Sequence, residues 1–104
     1  MISHSKVKSC SKETPALDLY RIRRTNGLPD VLVYYSDAYL FTTAELFLLP
    51  DEVGRGSFVL LLPHADYEPG VIGAAKKSGI AIGQLGKLMG ALNYKKVWEY
   101  VAPA

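Results

Sequence analysis

Two carboxylates lie close together in an apolar, strand-like part of the sequence. Asp30 follows a Gly-Leu-Pro turn, and Glu45 lies further along in the segment "FTTAELF". Acidic side chains at the ends of neighbouring strands can bind Mg²⁺, and a nearby lysine can position or polarise the water that attacks a phosphodiester. Lys76 and Lys77 are the candidates for that lysine if the helix predicted for them folds back across the strands.

The segments "GLPDVLV" and "TAELF" resemble the opening of the PD-(D/E)xK nuclease pattern of restriction-endonuclease-like and Holliday-junction-resolving enzymes. The resemblance implies that Asp30 is the first acid, that Glu45 is the second and that Mg²⁺ is the cofactor. It ends at Phe47, which occupies the position where the family has lysine. A magnesium-dependent nuclease, or a degenerate relative of one, is therefore an alternative and not the leading interpretation.

Charged residues are segregated along the chain. Residues 1–28 hold six Lys/Arg and two Asp/Glu, residues 29–68 hold one and seven, and residues 69–104 hold five and one. Such segregation indicates either contact between these parts or two opposite electrostatic faces, and basic faces attract nucleic acid or acidic partners. The predicted nucleic-acid-binding residues are Arg21, Arg23, Arg24, Lys76, Lys77 and Lys87. A solvated surface with local ion pairs is the other explanation.

Two further patterns bear on nucleic-acid binding. "KKSGIAIGQLGKL" resembles a helix-hairpin-helix, in which a glycine-aliphatic-glycine turn directs backbone N–H groups at a phosphate, although Ala81 replaces the second glycine. Tyrosines near the arginines could stack on single-stranded bases. Tyr34 and Tyr35 are consecutive and must face opposite sides of a strand, so at most one of them joins such a surface.

Hydrophobic patterning predicts strands followed by helices. The predicted strands cover residues 16–24, 30–36, 39–50 and 58–63. Asn26-Gly27 suits a tight hairpin turn. Four successive strands with short connections favour an antiparallel meander.

The C-terminal part predicts one or two helices. "GVIGAAKKSG" predicts a helix that ends at Gly79, and residues 80–93 predict a second one, unless a single helix bends at Gly79. Four glycines in this region recur at helical spacing, namely Gly79, Gly83, Gly86 and Gly90. A glycine stripe permits close packing against the sheet or the preceding helix, or a self-association face.

These elements define an α+β fold with a four-stranded, mostly antiparallel meander sheet, packed on one face by one or two C-terminal helices. Residues 1–14 are interpreted as a flexible basic N-terminal arm and residues 15–104 as a single α+β domain. The single cysteine, Cys10, cannot form an internal disulfide. No apolar run resembles a secretory signal or a membrane span, which predicts an intracellular, cytoplasmic protein without a membrane partner.

The leading functional interpretation is a small non-enzymatic binding module that contacts nucleic acid through its basic N-terminal and C-terminal segments. The alternatives are the magnesium-dependent nuclease and a protein-interaction or assembly protein. We expect no cofactor, with Mg²⁺ needed only by the nuclease. The tyrosine-rich strands and the glycine stripe also predict a homodimer.

Overall fold

A mixed five-stranded sheet forms the centre of the fold. The structure is a computed structural model that describes residues 5–13, 18–25 and 27–100. Its elements are β1 (Val7–Lys12), β2 (Leu19–Arg24), β3 (Val31–Tyr35), β4 (Leu40–Phe41), α1 (Thr43–Phe47), β5 (Phe58–Leu60), β6 (Asp66–Tyr67), α2 (Val71–Lys77), β7 (Ala81–Gly83), α3 (Leu85–Ala91) and a 3₁₀ helix (Val97–Glu99). The large sheet has the order β1-β2-β3-β5-β7, and β4 pairs with β6 separately.

Three of the predicted strands are confirmed, but their predicted arrangement is wrong in part. β1, β2 and β3 form an antiparallel meander, whereas β5 pairs with β3 in parallel and β7 pairs with β5 in parallel. The protein is therefore an α+β domain with a mixed sheet of five strands, and not four antiparallel ones. Parallel neighbours require crossover connections, which the segments containing α1 and α2 supply.

The predicted third strand over residues 39–50 is replaced by the short strand β4 and the helix α1. Thr42 caps this helix because its side-chain Oγ1 accepts a hydrogen bond from the backbone N–H of Glu45 at 3.3 Å. A Thr-x-x-Glu sequence before an apolar run is a helix-start signal. The apolar and aromatic run that suggested a strand does not distinguish a short helix from a strand by itself.

The predicted helix over residues 80–93 is also wrong in its first part. Ala81–Gly83 forms β7, a fully buried strand, and α3 begins only after Gln84. The first helix is confirmed as α2, and Gly79 follows it with a positive φ of 75°. Gly83 belongs to a strand, so the glycines do not form one helical stripe.

Helices cover both faces of the sheet, whereas the sequence predicted helices on one face only. One face packs the side chains of Leu19, Val59 and Ile82 with those of Val71 and Ala75 from α2. The opposite face packs Ile22, Phe58 and Ala81 against Leu88 and Leu92 in and after α3. Consecutive residues such as Phe58 and Val59 serve opposite faces because side chains alternate along a strand.

The first strand lies where the sequence predicted a flexible arm. Val7–Lys12 pairs antiparallel with β2, and Cys10 lies opposite Ile22. The predicted domain boundary at residues 14–15 and the start of the arm at residues 1–4 lie outside the described residues. The sheet therefore includes β1 as its edge strand.

Candidate functional site

The two carboxylates of the nuclease pattern lie on different parts of the fold. Asp30 precedes β3 in the large sheet, whereas Glu45 is exposed on α1, after β4 of the small sheet. Lys76 and Lys77 are exposed at the end of α2. Across residues 5–13, 18–25 and 27–100, no three His, Cys, Asp or Glu side chains form a group that could hold a metal ion. Glu45 is thus on a helix and not on a strand beside β3.

Arg21 is bound by two carboxylates. Its guanidinium donates to Glu13 at 2.9 and 3.0 Å and to Asp30 at 3.3 Å. The hydrogen bond with Glu13, and then the one with Asp30, raise the pKa of Arg21, and the same pairing lowers the pKa of Glu13. The charge of Arg21 is therefore balanced within the protein.

Arg24 joins the β2–β3 turn to the segment after α3. Its Nε donates to the carbonyl of Pro29 at 2.8 Å. Its Nη1 donates to the carbonyls of Leu92 at 3.0 Å and Tyr94 at 2.6 Å, and Nη2 donates to that of Lys95 at 3.2 Å. The residue is 6% exposed, and this burial lowers the pKa of its guanidinium, although the negative charge of Asp30 acts to raise it. Arg24 therefore has a structural role as an internal clamp.

Arg23 and Lys77 are exposed on β2 and α2, and neither lines the clefts that contain Arg24 or Lys87. Lys76 and Lys87, two of the six predicted nucleic-acid-binding residues, line one cleft together. The structure therefore divides the predicted set into a clamp, an ion-paired arginine, two exposed cations and a clustered pair.

A cleft of about 270 Å³ lies at the ends of β2, β3 and β5. We call it the basic cleft, because Arg55, Lys95 and Lys96 are exposed cations of its lining, with Asp30 as an acidic neighbour and Trp98 as the aromatic wall. The guanidinium carbon of Arg55 lies 4.7 Å from the ring centroid of Trp98, which is a cation–π contact.

Backbone packing under Arg55 fixes its position. The N–H of Gly56 donates to the carbonyl of Gly79 at 2.8 Å, which ties the loop before β5 to the turn after α2. A Cβ added to Gly79 would lie 2.5 Å from Cγ of Arg55. Glycine is therefore required at residue 79 both for its positive φ and for the close approach of the Arg55 side chain.

A second, smaller cleft of about 140 Å³ also borders Trp98. We call it the aromatic cleft: it is lined by the rings of Trp98 and Tyr100, by Lys76 and Lys87, and by the apolar residues Ile72, Ile80 and Ala81. Burial lowers the pKa of the half-buried Lys87, and the charge of Lys76 lowers it further. An anionic group in this cleft would favour the charged form of Lys87.

The ring of Tyr100 is held by aromatic and backbone contacts. It meets Tyr94 edge-to-face at a centroid distance of 5.4 Å and an interplanar angle of 66°. A Cβ added to Gly90 would collide with the Tyr100 ring, so the absence of a side chain at residue 90 creates the space for that ring. Tyr100 and Trp98 thus form a supported aromatic wall.

Sequence reasoning missed the residues Arg55, Lys95, Lys96 and Trp98. The signal for part of this set is "YKKVWEY", in which two lysines precede the chain's single tryptophan. Arg55 is the only lysine or arginine of residues 29–68, and it lies between two glycines. Its proximity to Trp98 depends on tertiary structure, so spacing alone does not reveal it.

Comparison with known proteins identifies no relative. No protein-family model matches the chain, and neither a curated protein nor a solved structure is significantly similar to it. Within the part of the chain that the structure describes, no helix has the length and apolar character that crossing a bilayer requires.

Proposed function

We propose that this protein is a non-enzymatic module that binds nucleic acid through the basic cleft and the aromatic cleft. The observation that carries the proposal is the arrangement of cations around one indole ring. Arg55, Lys95 and Lys96 line one cleft at Trp98, and Lys76 and Lys87 line the other. These side chains come from the loop before β5, from α2, from α3 and from the C-terminal segment.

The chemistry of the lining suits a phosphate backbone with bases attached. Lysine and arginine bind phosphates, and arginine does so with two parallel hydrogen bonds. Aromatic side chains beside such cations offer a stacking surface for bases. An acidic protein would use the cations but has less use for the half-buried indole that borders both clefts, so nucleic acid is the ligand that uses both.

The internal pairing of the predicted arginines changes which residues should bind. Arg21 is engaged by Glu13 and Asp30, and Arg24 by backbone carbonyls. Arg23 and Lys77 remain predicted contacts at the periphery, because both are exposed. The proposal therefore rests on the C-terminal basic segment and Arg55 more than on β2.

The test is a binding titration with labelled oligonucleotides at several salt concentrations. We expect the logarithm of the affinity to fall linearly with the logarithm of the salt concentration, with a slope of about −0.7 to −0.9 per phosphate contact. Replacing Lys95 and Lys96 with alanine should reduce the magnitude of that slope by the amount expected for about two phosphate contacts. Lys8 and Lys12 on β1 are exposed, and their double alanine variant is the control with the same change in charge.

Equal losses in the two double variants would mean that net charge, and not the basic cleft, governs binding. Affinity that does not change with salt would contradict the proposal. The same oligonucleotides incubated with Mg²⁺ test the catalytic alternative: cleavage that disappears in Asp30→Ala would indicate a nuclease instead.

An assembly role is the second candidate, and three exposed apolar side chains favour it. Tyr39, Phe47 and Leu48 are 81%, 82% and 78% exposed, around and after the small sheet. Apolar side chains that are exposed next to one another mark interaction surfaces. We propose a homodimer through these three side chains, with sedimentation velocity as the test. Phe47→Ser should shift the protein to monomer, whereas Ala44→Ser on the same helix should not; a wild-type protein that is monomeric at all concentrations would contradict this role.

A further inference from the structure

We infer that the aromatic cleft admits a single unpaired base against Trp98, so that the protein selects single-stranded over double-stranded nucleic acid. This inference rests on the proposed function and specifies its ligand. It assigns phosphate binding to the basic cleft and base binding to the aromatic cleft.

The size of the aromatic cleft favours one flat group. Its volume of about 140 Å³ is below the roughly 300–1,000 Å³ of typical small-molecule sites. The basic cleft is about twice as large, at about 270 Å³, and its lining cations are exposed on the surface. A planar ring therefore suits the smaller space, and a sugar-phosphate backbone suits the larger one.

The walls of the aromatic cleft have the chemistry that a base requires. The lining combines the apolar side chains of Ile72 and Ile80 with the aromatic side chains of Trp98 and Tyr100. The ammonium groups of Lys76 and Lys87 are donors for the oxygen and nitrogen acceptors on a base edge. Apolar faces, aromatic rings and donors thus meet in one small volume.

The same geometry disfavours a duplex. A base inside a double helix is stacked on both sides, so it offers no free face to a side chain. Only a base that has left the stack can enter a cleft beside the indole, and single strands provide such bases at the lowest cost. Arg55 holds Trp98 in place before binding, which limits the conformational entropy that stacking would otherwise lose.

The experiment uses Trp98 as its own reporter, because it is the only tryptophan in the chain. The full chain is titrated with a single-stranded oligonucleotide, with the duplex of the same sequence and with inorganic polyphosphate, while indole emission is recorded. We expect the single strand to quench the emission and to bind roughly 5- to 150-fold more tightly than the duplex, which is the range that stacking of one base supports. Polyphosphate should bind with salt dependence but without the same quenching.

Variants then test the assignment by the anisotropy of labelled oligonucleotides. Trp98→Leu should lose the preference for single strands and keep the salt slope, whereas Trp98→Phe should recover part of the preference. Tyr67→Leu is the matched control, because Tyr67 is an aromatic residue on β6 that is 45% exposed and lines neither the basic cleft nor the aromatic cleft. If Trp98→Leu does not fold, the titration of the unaltered protein still decides the question.

Two failures are distinguishable. Salt-dependent binding with equal affinity for single strand and duplex, and with unchanged indole emission at saturation, would overturn this inference and leave the proposed function in place. No binding to any of the nucleic acids would overturn both.

Discussion

Replacing Arg24 should lower the free energy of unfolding of the protein without directly removing a ligand contact. Arg24 is buried at the end of β2, and its guanidinium donates to carbonyls before β3 and after α3. Arg24→Ala would leave those carbonyls without their donor. Because the carbonyl of Leu92 lies at the C-terminal end of α3, the substitution also removes the cation that this end of the helix favours.

The expected loss follows from the four hydrogen bonds that the guanidinium makes. A hydrogen bond to a charged group contributes about 1.5–3 kcal/mol. The contributions do not add fully, since water can reach the more exposed carbonyls once the side chain is removed. We therefore expect the free energy of unfolding to fall by about 3–5 kcal/mol, a large part of the roughly 5–15 kcal/mol typical of a domain.

The assay is urea denaturation followed by far-UV circular dichroism and by the emission of Trp98. Arg23→Ala is the matched control, because Arg23 is the neighbouring residue on the same strand and is exposed. It should change the free energy of unfolding by less than about 0.5 kcal/mol. Arg24→Lys keeps the charge but not the planar fork of donors, so it should retain only a minor part of the stability.

One result would refute the reasoning about Arg24. If Arg24→Ala lost less than about 1 kcal/mol of stability and still abolished nucleic-acid binding, Arg24 would be a ligand residue and not a clamp. A variant that replaces both Arg23 and Arg24 would be a poor test of binding, since the loss of stability expected at Arg24 would also reduce binding. Single variants separate the two effects.

Three further substitutions test the site and the fold. Asp30→Asn removes a negative charge from the lining of the basic cleft and should strengthen nucleic-acid binding by about 0.5–1 kcal/mol in a salt titration; weaker binding would contradict this electrostatic role. Thr42→Ala removes the acceptor for the N–H of Glu45 and should lower the urea midpoint by the equivalent of about 1 kcal/mol, with no change expected in binding. The pKa of Lys87 is lowered from 10.5 in the folded protein, so between the lowered value and 10.5 the unfolded chain binds more protons than the folded one. The stability should therefore rise with pH over that range. Lys87→Met should abolish this rise in thermal melts, and an unchanged profile would show that Lys87 does not cause it.

The sequence predicted the parts of the fold in which patterning and turn chemistry agree. β2 and β3 fall within the predicted strands, and Gly27 between them has a positive φ of 72°, as a tight turn requires. α2 begins after Gly70 and ends before Gly79, and the sequence predicted that this helix would end at Gly79. In these elements, local propensity and tertiary packing favour the same structure.

Short apolar segments were the main source of error. The segments 40–48 and 80–83 are too short for a helical or strand period to be recognised. The cap of Thr42 favours the helix α1 in the first segment, and pairing with β5 makes the second segment the strand β7. Parallel pairing of β3 with β5 also depends on the helix that crosses between them, which a strand prediction over residues 39–50 concealed.

The candidate site was the least predictable part, because identical residue types have different roles there. Arg23 and Arg24 are neighbours in sequence, yet one is exposed and the other is 6% exposed and bound to carbonyls. Arg55 lies 43 residues from Trp98 in sequence, and their contact depends on the parallel order of β5 and β7 with the 3₁₀ helix packed beside them. Composition predicted basic surfaces, but only the fold determines which cations remain available.

The segregated charges of the sequence are redistributed by the fold. Two of the six basic residues of residues 1–28 are bound internally: Arg21 pairs with Asp30 of the acidic middle segment, and Arg24 binds carbonyls of the C-terminal segment. Conversely, Arg55, the one cation of the acidic segment, points to Trp98 beside the C-terminal lysines. Asp30, which the sequence suggested as a metal ligand, thereby takes part in an ion pair at the rim of a cationic cleft. Its pairing with Arg21 lessens the repulsion between this carboxylate and a bound phosphate, so Asp30 weakens the basic cleft without preventing a phosphate from binding there.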